Sequence, residues 1–143
     1  MARTARVRRL EVSEKEFQEM EKKICRAGAY RRLSDEDNQL EENNSIGNQL
    51  KIIENFVSMS SDIEIVKIYA DNGYSGMNYK RPGYIQMMED LYAGIIDTVI
   101  VKDISRLGRH YILTSELVEK TFPSMDVRLI CVNDHYDSND SNA

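Results

Sequence analysis

The sequence predicts an α/β fold with a mainly parallel central sheet and helices on both of its faces. Short apolar or β-branched runs alternate along the chain with segments whose apolar residues have helical spacing. Each apolar run is followed by a polar, Gly-rich or Arg-rich loop. Strand–helix alternation of this kind implies right-handed crossovers, which make neighbouring strands parallel and distribute the helices over both faces.

The first elements precede and open this pattern. An arginine-rich arm comes first, and Ser13 with Glu16 forms a capping box, which predicts a short helix over about 13–23. Residues 24–33 predict the first strand. The acidic and amide-rich residues 35–44 predict a mobile loop.

A helix and a strand follow this loop. Ser45 is suited to cap a helix whose apolar face consists of Ile46, Leu50, Ile53 and Val57. Residues 63–69 are β-branched and predict the second strand, which ends at a Gly-rich loop. Pro82 fits the first turn of the next helix and Gly94 its end.

The last predicted elements are two strands and the helix between them. Residues 98–101 predict the third strand, and a third helix is expected to close before Pro123. Residues 127–132 predict the fourth strand, and the polar sequence from Asn133 onward predicts a frayed end. The domain prediction is an arm and short helix at 1–23, the α/β domain at 24–138 and a disordered tail at 139–143.

Composition limits the class of protein. No apolar run approaches the length that spans a bilayer and no signal peptide is visible, so the sequence predicts a cytoplasmic protein without a membrane partner. Cys25 and Cys131 lack metal or redox spacing and predict reduced core residues, and His110 and His135 are too isolated for a metal site. The net charge of −5 indicates that any nucleic acid is held by local contacts or by another segment.

Residues suited to phosphate chemistry follow the predicted strands. In parallel sheets, ligands bind beyond the carboxyl ends of the strands, where strand order reverses. Arg106 and Arg109 follow the third strand and are predicted to emerge together as a clamp for a phosphodiester. The same edge is expected to hold Arg32, Ser34, Asp71 and Asp103, with Arg81 on a loop that folds back to it.

A serine surrounded by arginines favours attack on phosphorus. A serine hydroxyl needs activation, and neither histidine lies in a candidate loop, so a Ser-His-Asp hydrolase is disfavoured. Arginines neutralise a phosphodiester and favour the deprotonated hydroxyl. Arg32 and Ser34 share one face of an extended strand. Asp71 and Asp103 are possible Mg²⁺ ligands, although the excess of arginine counts against a metal.

Four motifs follow one another along the chain: Tyr30-Arg-Arg-Leu-Ser34, Ser45-Ile-Gly-Asn-Gln49, Tyr69-Ala-Asp-Asn-Gly-Tyr-Ser-Gly76 with Arg81-Pro82, and Val99-Ile-Val-Lys-Asp-Ile-Ser-Arg-Leu-Gly-Arg109. Together and in this order they resemble the N-terminal catalytic domain of a serine recombinase of the resolvase/invertase family, of the large transposon type. The likeness covers roughly residues 24–138.

The resemblance implies a DNA recombination enzyme. Ser34 would attack a DNA phosphodiester and form a 5′-phosphoserine intermediate, followed by strand exchange and religation. The matching active-site residues would be Arg32, Arg81, Arg106, Arg109, Asp71 and Gln49, with Tyr30, Asp103 and Ser105 in support. The resemblance implies no metal, no cofactor and no small-molecule substrate. The implied partners are duplex DNA attachment sites and further copies of the protein, in a dimer and a synaptic tetramer.

Two departures from the family pattern qualify this resemblance. Small resolvases carry an aspartate where this chain has Ser105. The identity of the general acid that protonates the leaving 3′ oxygen is therefore left open, and Arg106 is the candidate. The dimerisation helix and DNA-binding region that the resemblance places downstream are expected to be absent, which would explain the acidic charge. Two alternatives remain open: a non-catalytic interaction module that modulates an active partner, and a metal-dependent α/β nuclease or phosphotransfer domain.

Overall fold

Five strands form one sheet. They are β1 (Cys25–Leu33), β2 (Ile63–Asn72), β3 (Thr98–Val101), β4 (Arg128–Cys131) and β5 (Tyr136–Asp137), in the spatial order β2-β1-β3-β4-β5. The first four strands pair in parallel and β5 pairs antiparallel to β4, which confirms the predicted mainly parallel sheet. The structure, a computed structural model, describes residues 24–33, 45–77 and 79–140. The predicted arm, the helix at 13–23, Ser34, the loop at 35–44 and residues 141–143 lie outside the described residues.

Three helical segments connect the strands. Helix α1 (Ile46–Ser58) begins at Ser45, whose Oγ accepts a hydrogen bond from the backbone N–H of Asn48 at 3.1 Å. Helix α2 (Pro82–Tyr92) has its proline in the first turn, as predicted. Gly94, at a φ of +75°, follows its end in a conformation that favours glycine.

The third helical segment differs from the prediction. It starts as α3 (Tyr111–Glu116), widens to a π-helical turn at Leu117–Thr121 and returns to an α-helical turn at Phe122–Ser124. The prediction that it closes before Pro123 was therefore wrong, because the chain continues helically through the proline. Together these three pieces are called the third helix below.

The sheet separates two apolar cores. Val99, Leu129 and Cys131 pack with α2 and the third helix, whereas Ile100 and Ile130, the alternate residues of the same strands, pack with α1. This division follows from the two-residue period of a strand, and it confirms helices on both faces. Cys131 is buried in the core, as predicted, whereas Cys25 is half-buried. Burial raises the pKa of the Cys131 thiol to about 12.

The end of the described chain is more ordered than predicted. The segment after Asn133 folds back on β4 and forms a hairpin with it. In this hairpin Tyr136 pairs with Cys131, and Asp137 pairs with Ile130. Arg128 donates two hydrogen bonds to the Asp137 carboxylate, at 2.9 and 2.6 Å. The predicted frayed end was wrong for this segment, because strand pairing and an ion pair between the two strands of the hairpin stabilise it.

The strand order locates the position where a ligand is expected. The chain passes from β1 to β2 on one side and then crosses to β3 on the other side of β1. Strand order therefore reverses between β1 and β3, and the carboxyl ends of these two strands border the crevice. Arg32 stands near the end of β1, and the turn at Ile104–Arg106 follows β3.

Candidate active site

Three of the predicted arginines meet at the carboxyl edge of the sheet. The backbone carbonyl oxygen of Arg106 accepts hydrogen bonds from Arg32 Nε at 3.2 Å and from Arg81 Nη1 at 3.0 Å. Arg106 Nη1 in turn donates to the carbonyl oxygen of Arg32 at 2.8 Å. The structure therefore brings together side chains from β1, the start of α2 and the turn after β3, as the sequence predicted.

The same three guanidiniums are buried. Arg32 and Arg81 are 0% exposed and Arg106 is 3% exposed, whereas Arg109 is exposed. Arg32 also donates to the carbonyls of Tyr74 and Ser105, at 3.1 and 2.6 Å. The prediction that Arg106 and Arg109 emerge together was wrong for this conformation, because Arg106 turns inward to the carbonyl of β1.

Arg81 lies in an aromatic enclosure. The rings of Tyr84, Tyr79 and Tyr30 have their centroids 4.7, 5.3 and 5.6 Å from its Cζ atom. Arg81 donates to the hydroxyl of Tyr30 at 2.9 Å and to the carbonyl of Leu107. Its Nε atom is buried and has no hydrogen-bond partner among the described residues. Cation–π contacts and carbonyl acceptors together hold this charge inside the protein.

Asp71 links β2 to the start of α2. Its carboxylate accepts hydrogen bonds from the N–H groups of Gly83 at 2.7 Å and Tyr84 at 2.9 Å, and from the Tyr30 hydroxyl at 2.8 Å. The positive end of the α2 dipole adds to this stabilisation. Burial raises the pKa of Tyr30, Arg81 opposes that rise, and the Asp71 hydrogen bond adds to it, so the hydroxyl remains a donor.

Gln49 fixes the backbone at the end of β1. Its amide Nε2 donates to the carbonyl oxygen of Arg32 at 2.9 Å, and its Oε1 accepts from the Arg32 N–H at 3.3 Å. This buried side chain thus substitutes for a neighbouring strand. It holds the backbone two residues before Ser34, which itself lies outside the described residues.

Asp103 and Ser105 act together on Arg106. The Oδ1 atom of Asp103 accepts from the Ser105 N–H at 3.1 Å, from the Ser105 hydroxyl, and from Arg106 Nε at 3.3 Å. Arg106 Nη2 also donates to Ser105 Oγ at 3.0 Å. Asp103 therefore contacts Arg106, although it lies two residues before Ser105, the position at which small resolvases carry an aspartate.

Arg109 borders the Gly-rich loop after β2. Its backbone N–H donates to the carbonyl of Gly76 at 3.0 Å. A Cβ added to Gly76 would lie 2.8 Å from Arg109 Cγ and 3.0 Å from Arg32 Nη2. The absent side chain of Gly76 therefore allows both arginines to approach the loop.

Tyr79 and Tyr84 belong to this site, although the sequence did not identify them as members. Neither is among the predicted site residues; Tyr84 is a buried residue of α2, and Tyr79 lies in the loop before that helix. The only local signal was that both are close to Arg81 in sequence, whereas their contact with its guanidinium depends on the folded loop.

The acidic residues do not form a metal site in the described part of the chain. Asp71 is occupied by two backbone N–H groups and a hydroxyl, and Asp103 contacts Ser105 and Arg106. Residues 24–33, 45–77 and 79–140 contain no group of three or more His, Cys, Asp or Glu side chains arranged to hold a metal ion. Within these residues, no helix has the length and apolar character needed to cross a membrane.

Comparisons with known proteins show which family and which fold this chain is similar to. The family model described as Resolvase, N terminal domain, matches residues 27–143. A Bacillus subtilis (strain 168) protein named "Putative DNA recombinase" is 31% identical over 107 residues, which make up 75% of this chain and 20% of that protein. The chain thus spans about a fifth of the length of this curated relative.

Several solved structures share the fold. A resolvase family site-specific recombinase from Streptococcus pneumoniae is 29% identical with a TM-score of 0.62, covering 82% of this chain and 79% of that one. The C-terminal catalytic domain of ISC1926 TnpA, an IS607-like serine recombinase, is 25% identical with a TM-score of 0.62, covering 75% and 70%. The N-terminal catalytic domain of TP901-1 integrase, at 24% identity and a TM-score of 0.71 over 82% and 84%, shares the fold.

Proposed function

Because this chain belongs to the resolvase family and is a serine recombinase catalytic domain, we propose that Ser34 is its nucleophile toward a DNA phosphodiester. The observation that carries this assignment is that the backbone of Arg32 is fixed in place. Its carbonyl oxygen accepts hydrogen bonds from the side chains of both Gln49 and Arg106. Ser34 is two residues further along the chain. The end of β1 at Arg32 is therefore fixed to residues 104–109, the turn after β3 that carries Arg106 and Arg109 and is called the arginine turn below.

The proposed step exchanges one phosphate ester for another. The oxygen of the Ser34 hydroxyl forms a bond to phosphorus, its proton leaves to a base, and the bond from phosphorus to the 3′ oxygen breaks. The 3′ oxygen takes up a proton, for which Arg106 is the proposed donor. The products are a 5′-phosphoserine and a free 3′ hydroxyl, and the reverse reaction rejoins DNA without a cofactor.

The arginines divide this work according to their exposure. We assign to Arg109, the exposed one, the first contact with a phosphate oxygen. Arg32, Arg81 and Arg106 hold the turn in place through carbonyl oxygens and contribute positive charge from a poorly hydrated region. Their charges favour both the serine alkoxide and the extra charge on phosphate oxygens in the transition state.

The same proposal includes the whole protein's partners. Duplex DNA is the proposed substrate, and dimers and synaptic tetramers are the proposed assemblies in which strands are exchanged. The cytoplasm is the proposed location. Five further residues are proposed to position the arginines and the end of β1, because they make the hydrogen bonds described above. They are Asp71, Gln49, Tyr30, Asp103 and Ser105.

Covalent trapping tests the nucleophile. The protein would be expressed from its complete reading frame and incubated with labelled duplexes from both ends of the DNA element that carries the gene. Wild type is expected to form a detergent-resistant, protease-sensitive 5′ adduct, which peptide mass spectrometry places on Ser34. Ser34→Ala should abolish the adduct while DNA binding persists, and Ser58→Ala, an exposed serine at the far end of α1, should retain it.

The alternatives predict different results in this assay. A metal-dependent nuclease would lose activity in EDTA and leave no protein on the DNA, whereas the proposed reaction is indifferent to chelator. An interaction module would bind DNA or a partner without forming an adduct. An adduct that survives in Ser34→Ala would show that another residue is the nucleophile.

A further inference from the structure

Tyr79 lies where three segments of the candidate site meet. Its hydroxyl shares a hydrogen bond with Thr114 Oγ1 of α3 at 2.8 Å. Its ring stands edge-to-face with Tyr84 of α2, with the centroids 5.7 Å apart and the planes at 81°. Its centroid is 5.3 Å from the Cζ of Arg81. One half-buried side chain thus contacts both α2 and α3.

The third segment is the arginine turn, which Tyr79 meets at Gly108. A Cβ added at Gly108 would lie 1.8 Å from the Tyr79 hydroxyl oxygen and 2.4 Å from its Cζ. No side chain fits in that space, so the tyrosine rests directly on the backbone between Leu107 and Arg109. The need for glycine here comes from space rather than from backbone angle, because its φ is not in the left-handed region.

The buried side chain of Arg81 also contacts this turn. Its guanidinium donates to the carbonyl of Arg106 at 3.0 Å and to that of Leu107. Tyr79 contacts the next residue, Gly108, and shares a hydrogen bond with Thr114 of α3. Two side chains that are separated in sequence only by Lys80 therefore contact consecutive residues of the turn.

We propose that Tyr79 is a positioning residue that locks the arginine turn against α3, and that it sets the placement of Arg106 and Arg109 for reaction. The proposal rests on the proposed function, because those arginines matter only if the site cleaves a phosphodiester. Tyr79 itself acts through the turn. A DNA-contacting tyrosine would act on the phosphodiester directly, whereas the contacts of Tyr79 with Thr114 and Gly108 lie within the protein.

A double-mutant cycle separates positioning from packing. Tyr79→Phe and Thr114→Val each remove one hydroxyl of the pair and retain most of the side-chain volume. Each is expected to slow adduct formation at saturating DNA about 10-fold, with the Kd for DNA unchanged. The double variant should be no slower than either single variant, because both remove the same hydrogen bond. Tyr92→Phe, at an exposed tyrosine at the end of α2, is the matched control and should react like wild type.

Gly108→Ala tests the contact with the turn. The added methyl group displaces Tyr79 or the turn, and a displacement of about 1 Å is expected to slow the reaction about 100-fold. Wild-type rates in Tyr79→Phe would overturn the proposal and leave Tyr79 as a packing residue. A weakened Kd with an unchanged rate at saturation would overturn it in favour of direct DNA contact.

Amide hydrogen exchange gives a readout that does not depend on cleavage. The backbone N–H groups of residues 106–109 are expected to exchange faster in Tyr79→Phe and Gly108→Ala than in wild type or Tyr92→Phe. Unchanged exchange rates at residues 106–109 in both variants would contradict the proposal that Tyr79 holds the turn against α3. If wild type forms no adduct at Ser34, the proposed function fails, whereas the exchange measurement still decides whether Tyr79 holds the turn.

Discussion

Asp71 shows how one buried carboxylate can connect the candidate site to the fold. Three donors reach it from β1 and from the first turn of α2. A buried charge is tolerated only when such hydrogen bonds replace its hydration. A Cβ on Gly83 would lie 2.9 Å from Asp71 Oδ2, so glycine is needed for this close approach. The residue that the resemblance identifies as an active-site acid is therefore also a capping residue for α2.

Replacing this carboxylate should destabilise the protein measurably. In Asp71→Asn the amide group must direct an NH₂ at one of the three donors, so we expect the free energy of unfolding to fall by about 2 kcal/mol. Urea unfolding at pH 7 measures the change, and Glu64→Gln, an exposed carboxylate on β2, serves as the control. Equal stability of the two variants would mean that the Asp71 hydrogen bonds contribute nothing net.

At the scale of elements, the third helix shows a limit of pattern recognition. Apolar spacing located this helix correctly, and Pro123 was taken as its end. Proline has no N–H, and its ring would collide with the carbonyl four residues earlier, that of Glu119, in a regular α-helix. The π-helical turn at Leu117–Thr121 widens the helix just before the proline, which lets it continue to Ser124. The sequence does not distinguish a break from such a widening.

An ion pair between Arg128 and Asp137 contributes to holding the two-residue strand β5 against β4. The bidentate hydrogen bonds from Arg128 lower the pKa of Asp137, while burial opposes that shift. Arg128 also donates to Asp62 at 3.0 Å, just before β2. Because the folded pKa of Asp137 lies below its ordinary value of 3.8, its stabilisation is fully present above that pH and is lost as pH falls through the folded pKa.

This sign predicts how an Asp137 variant responds to acid. At pH 7, Asp137→Asn is expected to lower the free energy of unfolding by only about 1 kcal/mol, because 27% of the Asp137 side chain remains exposed. The difference from wild type should shrink as the pH is lowered below 3.8, the ordinary pKa of Asp137, since wild type then loses the same charge. Urea unfolding across this range measures it, with Glu64→Gln, at an exposed carboxylate on β2, as control. A difference that grows in acid would contradict the assignment.

At the scale of the whole molecule, the sequence predicted topology better than contacts. Alternating periodicities located the four parallel strands, and the crossover rule then predicted which strand ends would share an edge. These two rules predicted from the sequence that Arg32, Arg81 and Arg106 lie at the same edge of the sheet. That these guanidiniums donate to backbone carbonyls was not predictable, because each acceptor lies on a segment distant in sequence. The hairpin at β5 was missed for a different reason, because a polar segment held by a local ion pair has the same composition as an unstructured tail.

Charge is also a property of the whole molecule, and it predicts weak DNA binding by this chain alone. The net charge of −5 and the burial of Arg32, Arg81 and Arg106 weaken the electrostatic attraction to phosphates. We expect a Kd for nonspecific duplex DNA of about 10⁻⁴ M at physiological salt, at the weak end of the usual range. Fluorescence anisotropy with a labelled duplex measures it, and titrations at lower salt give the salt dependence.

Arg109 should account for a distinct part of that salt dependence. As the exposed arginine at the carboxyl edge, it is expected to contribute one phosphate contact, so Arg109→Ala should reduce the slope of log K against log salt by about 1. Lys67→Ala removes the same charge from an exposed position on β2 and should leave the slope unchanged. Equal losses in the two variants would mean that DNA responds to net charge alone, and the carboxyl edge would then not be the surface that meets the phosphodiester.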